Sequence, residues 1–415
     1  MSGRWAVICG VVRNEQAMLD KLETLKAWKK AGEIDDVVFS TWIGEIEKYP
    51  TVEAAFARGE FKLVELQAPL LKTVGHTIHQ SKTLYYGLQA VPDSALVLKL
   101  RPDIAPIAPH ILPSIKSANL TIADDTDLPR VFGSKILVPM GFIDSPFYLN
   151  DITFYGHKAD LLKIANFDLS SEIIGSSLAP EQFFFRGPFA GLFPTIEAFL
   201  SIYPSFAFDS PELARRRIDA LLSSDFYLDV LATYLRILDH YFLIGFGGRD
   251  TASNRSVSPE VTADALLRGE AAGAGLSFHA GAGSSLVESE AAVRRLINGD
   301  YSPSPLGDRL KLAVARADGY KVEDAPINPL QPSAPMRELQ DKLEAIFPGR
   351  SHRLDTLADP NGRRFRVTGH QDRVDLMVQS DQVAHMAHEI NQMRRAIDEL
   401  RANQKKSSSD RAVQA

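Results

Sequence analysis

In "LVLKLRPDIAP" a continuous apolar run ends in Arg101, Pro102 and Asp103. A guanidinium offers an anion a planar fork of N–H donors, and a nearby carboxylate accepts from hydroxyls or holds a cation. The pair either serves a charged ligand or closes a strand end as an ion pair. Similar polar groups follow other apolar runs: Arg13, Asn14 and Glu15 after "WAVICGVV", and Ser40, Thr41 and Trp42 at the end of "DDVVFSTW". In "HTIHQSKTLYYGLQAV", His76, Gln80 and Thr83 fall at i, i+4 and i+7 and share one helix face, while Ile78, Leu84, Tyr85, Leu88 and Val91 supply the apolar side. Taken singly, each polar residue is ordinary as an N-cap, a strand-end turn or solvated helix surface. Their convergence from four elements is what points to a ligand.

The elements that must position these groups alternate. The β-branched run "WAVICGVV" is followed by "EQAMLDKLETLKAWKKAG", with Met18, Leu22, Leu25 and Trp28 at helical spacing and Gly32 as a C-cap. "DDVVFSTW" and "FKLVELQ" read as strands, 76–91 as a helix and "SALVLKLRPD" as another strand. Apolar runs buried on both faces and separated by helices predict an α/β domain with a mainly parallel sheet and crossover helices. Ligands of open sheets bind beyond the carboxyl ends of the strands, where the polar groups lie.

The set "VVFSTW", "HQSKTLYYGL" and "LVLKLRPDI", in this order and spacing, resembles the WavE-type lipopolysaccharide-synthesis proteins, and "VVRNE" is similar to the openings of many GT-A-type glycosyltransferases. The resemblance covers about residues 5–200 and implies a GT-A-like, Rossmann-like domain that binds a nucleotide-sugar donor through Arg13, Asn14, Thr41, Trp42, His76, Gln80, Thr83, Arg101 and Asp103. GT-A enzymes usually end this strand in an Asp-x-Asp pair that holds a divalent metal. Here Arg101 replaces the first carboxylate, which lets an arginine meet the diphosphate directly and leaves Asp103 for Mn2+ or Mg2+, a ribose hydroxyl or a sugar hydroxyl. "LNDITFYGHKADLL" and "APEQFFFRG" are similar to two further family stretches and give Asp151 and Glu181 as the candidates for the base that deprotonates the acceptor, with Phe154 and Tyr155 packing at Asp151. Glutamate in a first helical turn is also what the helix dipole selects. The implied activity is transfer of a sugar to a cell-surface or envelope glycan of lipopolysaccharide or capsule type. The alternative is a non-catalytic nucleotide-binding or scaffold protein of glycan assembly.

Composition narrows the rest. The 415 residues are 45% hydrophobic and 24% charged with a net charge of −6, so no basic field exists for nucleic acid or an anionic membrane. The lone Cys9 excludes a disulfide or a cysteine cage within one chain and fits a reducing compartment. The first apolar run reads as a strand, and 226–246 is interrupted by Asp229, Arg236, Asp239 and His240, so no transmembrane segment is predicted and the expected location is cytoplasmic, at most peripheral to the inner membrane face. No Gly-x-Gly-x-x-Gly, Walker or His-x-x-x-His pattern is present, and "DDTD" at 124–127 reads as a solvated loop.

The expected organisation is a GT-A-like domain at 1–210, a helical, Ala/Gly-rich region at 211–335, a helical segment ending in a coiled coil at 336–404, and a disordered tail at 405–415. Leu376, Val383, Ile390 and Ile397 recur every seven residues, with Met386, Met393 and Leu400 three after the last three of them and Gln379 weakening the start. This a/d pattern predicts a parallel homodimer, the rival reading being an amphipathic helix docked on its own protein.

Overall fold

In a computed structural model the described residues are 3–70, 73, 76–104, 106–123, 127–165, 178–203, 211–245, 286–287, 289–318, 333–346, 356–358, 364–366, 379, 381–391, 393–395, 397 and 401. Residues 124–126 of the acidic run, Leu376, Leu400, all of 250–285 and the tail lie outside them.

The chain runs β1 (Arg4–Cys9), α1 (Glu15–Lys30), β2 (Asp36–Trp42), α2 (Pro50–Ala57), β3 (Lys62–Leu66), α3 (Thr77–Gln89), β4 (Leu96–Leu100), α4 (Ile111–Ser117), β5 (Ile136–Val138), β6 (Gly141–Phe142), β7 (Phe154–His157) and α5 (Lys158–Ile164). It continues through α6 (Pro180–Arg186), α7 (Pro194–Ile202), α8 (Pro211–Leu222), α9 (Asp225–Tyr241), β8 (Phe242–Ile244), β9 (Leu286–Val287), α10 (Glu290–Asn298), α11 (Pro305–Asp318) and α12 (Ala334–Ile346), with a short hairpin at Thr356–Ala358 and Arg364–Arg366. Seven strands form one sheet in the order β3-β2-β1-β4-β7-β5-β8. The first four are mutually parallel, β7 is antiparallel to both neighbours, and β5 and β8 pair in parallel. The sheet is therefore mixed and mostly parallel.

Period-2 alternation divides each strand between two cores. Trp5, Val7, Cys9, Val38, Val97, Ile136, Val138 and Phe154 face one side, where they meet Leu84 and Leu88 of α3 and Leu161 of α5. Ala6, Ile8, Val37, Phe39, Leu98, Leu100, Leu137 and Tyr155 face the other, against Met18, Leu22 and Leu25 of α1 and Ile111 of α4. Helices thus cover both faces, and each buried aliphatic side chain contributes about 2 kcal/mol. Close approach is required where α3 crosses β1 and β2, because a Cβ at Gly87 would lie 2.7 Å from Val7 Cγ1 and 3.1 Å from Ser40 Cβ.

The expected boundary at 210 is not a break in the core. Strand β8, which follows α9, completes the sheet, and side chains of α8 to α12 belong to the same apolar cluster as Trp5 and Val7. The reason is the size of the apolar face on β4, β7 and β5, which α3 and α5 alone leave uncovered.

Candidate functional site at the β1/β4 edge

From β1 the chain moves outward through β2 to β3, then returns to begin β4 on the other side of β1. In open sheets a reversal of this kind is where ligands bind, beyond the carboxyl ends of the strands that flank it, here β1 and β4. Gly10 turns the chain out of β1 with φ +119, a conformation that strains any residue with a Cβ. The following loop is pinned by Glu45, whose Oε1 accepts from Val12 N–H at 2.9 Å, and by Tyr49 Oη donating to the Val12 carbonyl. Antiparallel β7 starts at this same edge. Its register, Leu98 opposite Tyr155 and Lys99 opposite Phe154, lays the residues before β7 alongside those after β4. Arg101 and Asp151 meet for this reason, with Arg101 Nη1 3.9 Å from Asp151 Oδ2.

Arg101 donates from Nε to Asp103 Oδ1 at 3.1 Å and from Nη2 to Oδ2 at 3.0 Å, while Arg13 Nη1 stands 3.3 Å from the same Oδ2. The Asp103 side chain is 8% exposed and that of Arg13 62%, so the aspartate is held inside and Arg13 reaches out from it. Burial opposes charge on Asp103, but the two guanidiniums outweigh it and hold the carboxyl below its ordinary range. Burial likewise opposes the Arg101 cation, and Asp103 with Asp151 more than offsets it. Buried Lys21, on α1, donates to the carbonyls of Pro102 at 3.4 Å and Ile104 at 3.0 Å, which fixes the turn that carries Asp103. Its ammonium is lowered to about 8, chiefly by burial and against the pull of Asp103.

Asp151 is buried, and its Oδ2 has no hydrogen-bond partner. Its backbone carbonyl accepts from Lys99 Nζ, so the lysine fixes the backbone, and the buried Oδ2 has the Arg101 guanidinium at 3.9 Å without a hydrogen bond. Glu181 sits in the first turn of α6, after Pro180. It is partly buried, and burial followed by the Asp151 charge pushes it up to about 8, against the opposite pull of its own backbone hydrogen bond, Arg101 and Lys99. Tyr148 responds to the same field: burial raises its phenol, with Glu181, Asp151 and Asp144 adding. A carboxyl that titrates near neutral pH can take or give a proton, and the guanidiniums beside it can hold an anion.

Five of the predicted residues, Arg13, Arg101, Asp103, Asp151 and Glu181, are therefore brought together. The others differ. The Asn14 side chain is taken up as the N-cap of α1, accepting from Ala17 N–H at 3.0 Å. Thr41 is fully buried with Oγ1 lacking a hydrogen-bond partner, and half-buried Trp42 meets His79 edge-on at 5.5 Å. His76, at the N-cap of α3, also packs on His79, so the ring facing Trp42 belongs to a neighbour of the predicted Gln80. Thr83 does not look out to this edge: it is buried and its hydroxyl donates within α3 to the carbonyls of His79 and Gln80. Phe154 and Tyr155 are committed to the two cores on opposite faces of β7 and offer no surface beside Asp151.

Sequence reasoning missed Lys21, Lys99, His79 and Tyr148. Lys99 carried a signal, since a lysine two residues before Arg101 in an apolar strand points to the same face. Lys21 falls on the apolar stripe of α1, between Met18 and Leu25, where a charge needs a partner. Among the described residues, no group of three His, Cys, Asp or Glu side chains is placed to hold a metal ion. A larger cavity of about 710 Å³, lined by residues including Arg130, His157 and His240, opens at the carboxyl end of β7 and holds none of these groups. No described helix is long and apolar enough to cross a membrane. No family model matches the sequence, and no curated protein or solved structure is similar enough to count as a match.

Proposed function

We propose that this chain is a glycosyltransferase that binds a nucleotide-sugar donor at the β1/β4 edge and passes the sugar to a hydroxyl of an envelope glycan. The observation that carries the reading is the meeting, at a strand-order reversal, of Arg13, Arg101 and Asp103 with Asp151, beside Glu181, whose carboxyl burial and the Asp151 charge push up. Arg13 and Arg101 meet the diphosphate, and Asp103 orients Arg101. Glu181 accepts the proton of the attacking hydroxyl, and Asp151 sustains its basicity. Proton, sugar and leaving nucleotide balance: the acceptor oxygen bonds to the sugar carbon, the bond to the nucleotide diphosphate breaks, and Glu181 takes the proton. Asp103 is also the carboxylate we assign to a manganese or magnesium ion arriving with the donor. Both its oxygens already receive guanidinium N–H groups, so such an ion must displace Arg101.

That mutual fork favours a second reading, a nucleotide-binding scaffold without turnover, because Arg101 is already satisfied by Asp103. Thermal unfolding of the purified chain with UDP, GDP, CDP or CMP, each with and without manganese or magnesium, tests both. One nucleotide is expected to raise the melting temperature by mass action. The corresponding nucleotide sugar should then release free nucleotide in the presence of acceptor glycan. Binding without release supports the scaffold, and no shift in folded protein overturns both.

A further inference from the structure

Helical residues 381–391 pack back onto α3. Asp381 is buried and its Oδ1 accepts from Leu70 N–H at 3.1 Å, Tyr86 Oη lies 2.5 Å from His385 Nδ1, and the Tyr86 and His388 rings meet edge-on at 4.4 Å. The contact face is therefore Asp381, His385, His388 and Glu389, whose carboxylate also reaches the Tyr86 hydroxyl. Val383, Met386, Ile390, Met393 and Ile397 are all 46–59% exposed. At 3.6 residues per turn the centres of the two faces stand roughly 135° apart on the helix. The helix does dock on its own protein, but with the side that leaves its apolar stripe outward.

We infer that this stripe pairs with the same stripe of a second copy in a parallel, two-stranded coiled coil. The stripe holds a and d positions only: Val383, Ile390 and Ile397 at a, Met386 and Met393 at d, the β-branched a residues favouring two strands. The flanking charges are self-complementary. Glu389 at g of one helix, at the border between the face docked on Tyr86 and the apolar stripe, faces Arg394 at e of the other, and the two-fold axis repeats the contact. An antiparallel pairing sets g against g and e against e, which brings like charges together. Three heptads are short for an isolated coil, but the contact with α3 already orders the helix before it associates, so part of the entropy cost of pairing is met.

Sedimentation equilibrium of the full chain tests the inference, with a dimer expected at micromolar concentration. Ile390→Asp combined with Met393→Asp should give a monomer that keeps the fold and helical content of the wild type, since both side chains lie on the exposed stripe. Arg394→Glu should weaken the dimer roughly tenfold by setting like charges at both Glu389 contacts. Val383→Cys should cross-link under mild oxidation, the unsubstituted chain with its buried Cys9 serving as control. A monomeric wild-type chain overturns the proposal and leaves the stripe to a different partner; a dimer that survives the double aspartate variant, or fails to cross-link through position 383, overturns it as well.

Discussion

Asp103 lies between two guanidiniums with both oxygens occupied, whereas one strand away Asp151 keeps Oδ2 without a hydrogen-bond partner and Glu181 beside it is pushed up to about 8. Both acidic sites share Arg101, yet their environments drive them apart: opposite charge wins over burial at Asp103, and burial with like charge wins at Glu181. A carboxylate locked in its ionised form suits orientation and charge balance. One balanced near neutrality suits proton transfer, and such pairs of diverging carboxyls mark acid–base assignments. On the proposed function, the difference divides the edge into a half that holds the donor and a half that takes the proton.

The largest expected effect comes from removing the reactive half. Glu181→Gln should lower transfer by a factor of about 10²–10⁴ while leaving nucleotide binding near wild type. In the wild type, the rate should climb with pH through about 8 and then level off as Glu181 loses its proton. Stability should show the opposite trend. Between the ordinary carboxyl value of 4.5 and about 8 the folded chain keeps a proton that the unfolded chain has lost, so this group makes stability fall as pH rises through that window. Glu181→Gln should therefore melt higher than the wild type at pH 9 and at nearly the same temperature at pH 4. Equal melting temperatures at pH 9 would erase the contrast with Asp103.

Next in size is Asp103→Asn, which leaves the Arg101 fork with no carboxylate other than Asp151 at 3.9 Å. The pair is only partly exposed, so the expected loss is about 2 kcal/mol in urea unfolding, together with about tenfold weaker nucleotide binding because Arg101 is no longer oriented. A stability loss with unchanged binding would reduce the pair to a strand-end closure. How far this edge was legible in the sequence follows the same division. Arg13, Arg101 and Asp103 lie at the ends of apolar runs, and the alternation of runs and helices placed those ends together. That Asp151 comes to this edge depends on β7 running antiparallel beside β4, and Glu181 reaches it from α6, outside the sheet. A four-residue strand carries no directional signal in its own composition, so only the resemblance pointed to them. His76, Gln80 and Thr83 share a helical face by spacing, but spacing does not say which way the helix is turned, and close packing at Gly87 turns Thr83 inward. The heptads were readable as a stripe, whereas the docking of the opposite face on Tyr86 came from a contact across about 300 residues of chain.

The smallest expected effect, and the one that separates holding from orienting, is that of Arg13→Ala. Arg13 is mostly in solvent and touches Asp103 at 3.3 Å, so its ion pair is screened and its loss should change folding stability by no more than about 0.5 kcal/mol. Asp103 remains paired with Arg101, which keeps its carboxylate ionised. If Arg13 meets the donor diphosphate, its removal should still weaken nucleotide diphosphate binding about fivefold at low ionic strength, and the deficit should shrink in 0.5 M salt, where exposed charges are screened over a few ångströms. Nucleoside without phosphate should bind the variant and the wild type alike. A deficit that persists for the nucleoside would mean that Arg13 acts through Asp103 on the shape of the edge, and would move it from the group that holds the ligand to the group that orients Arg101.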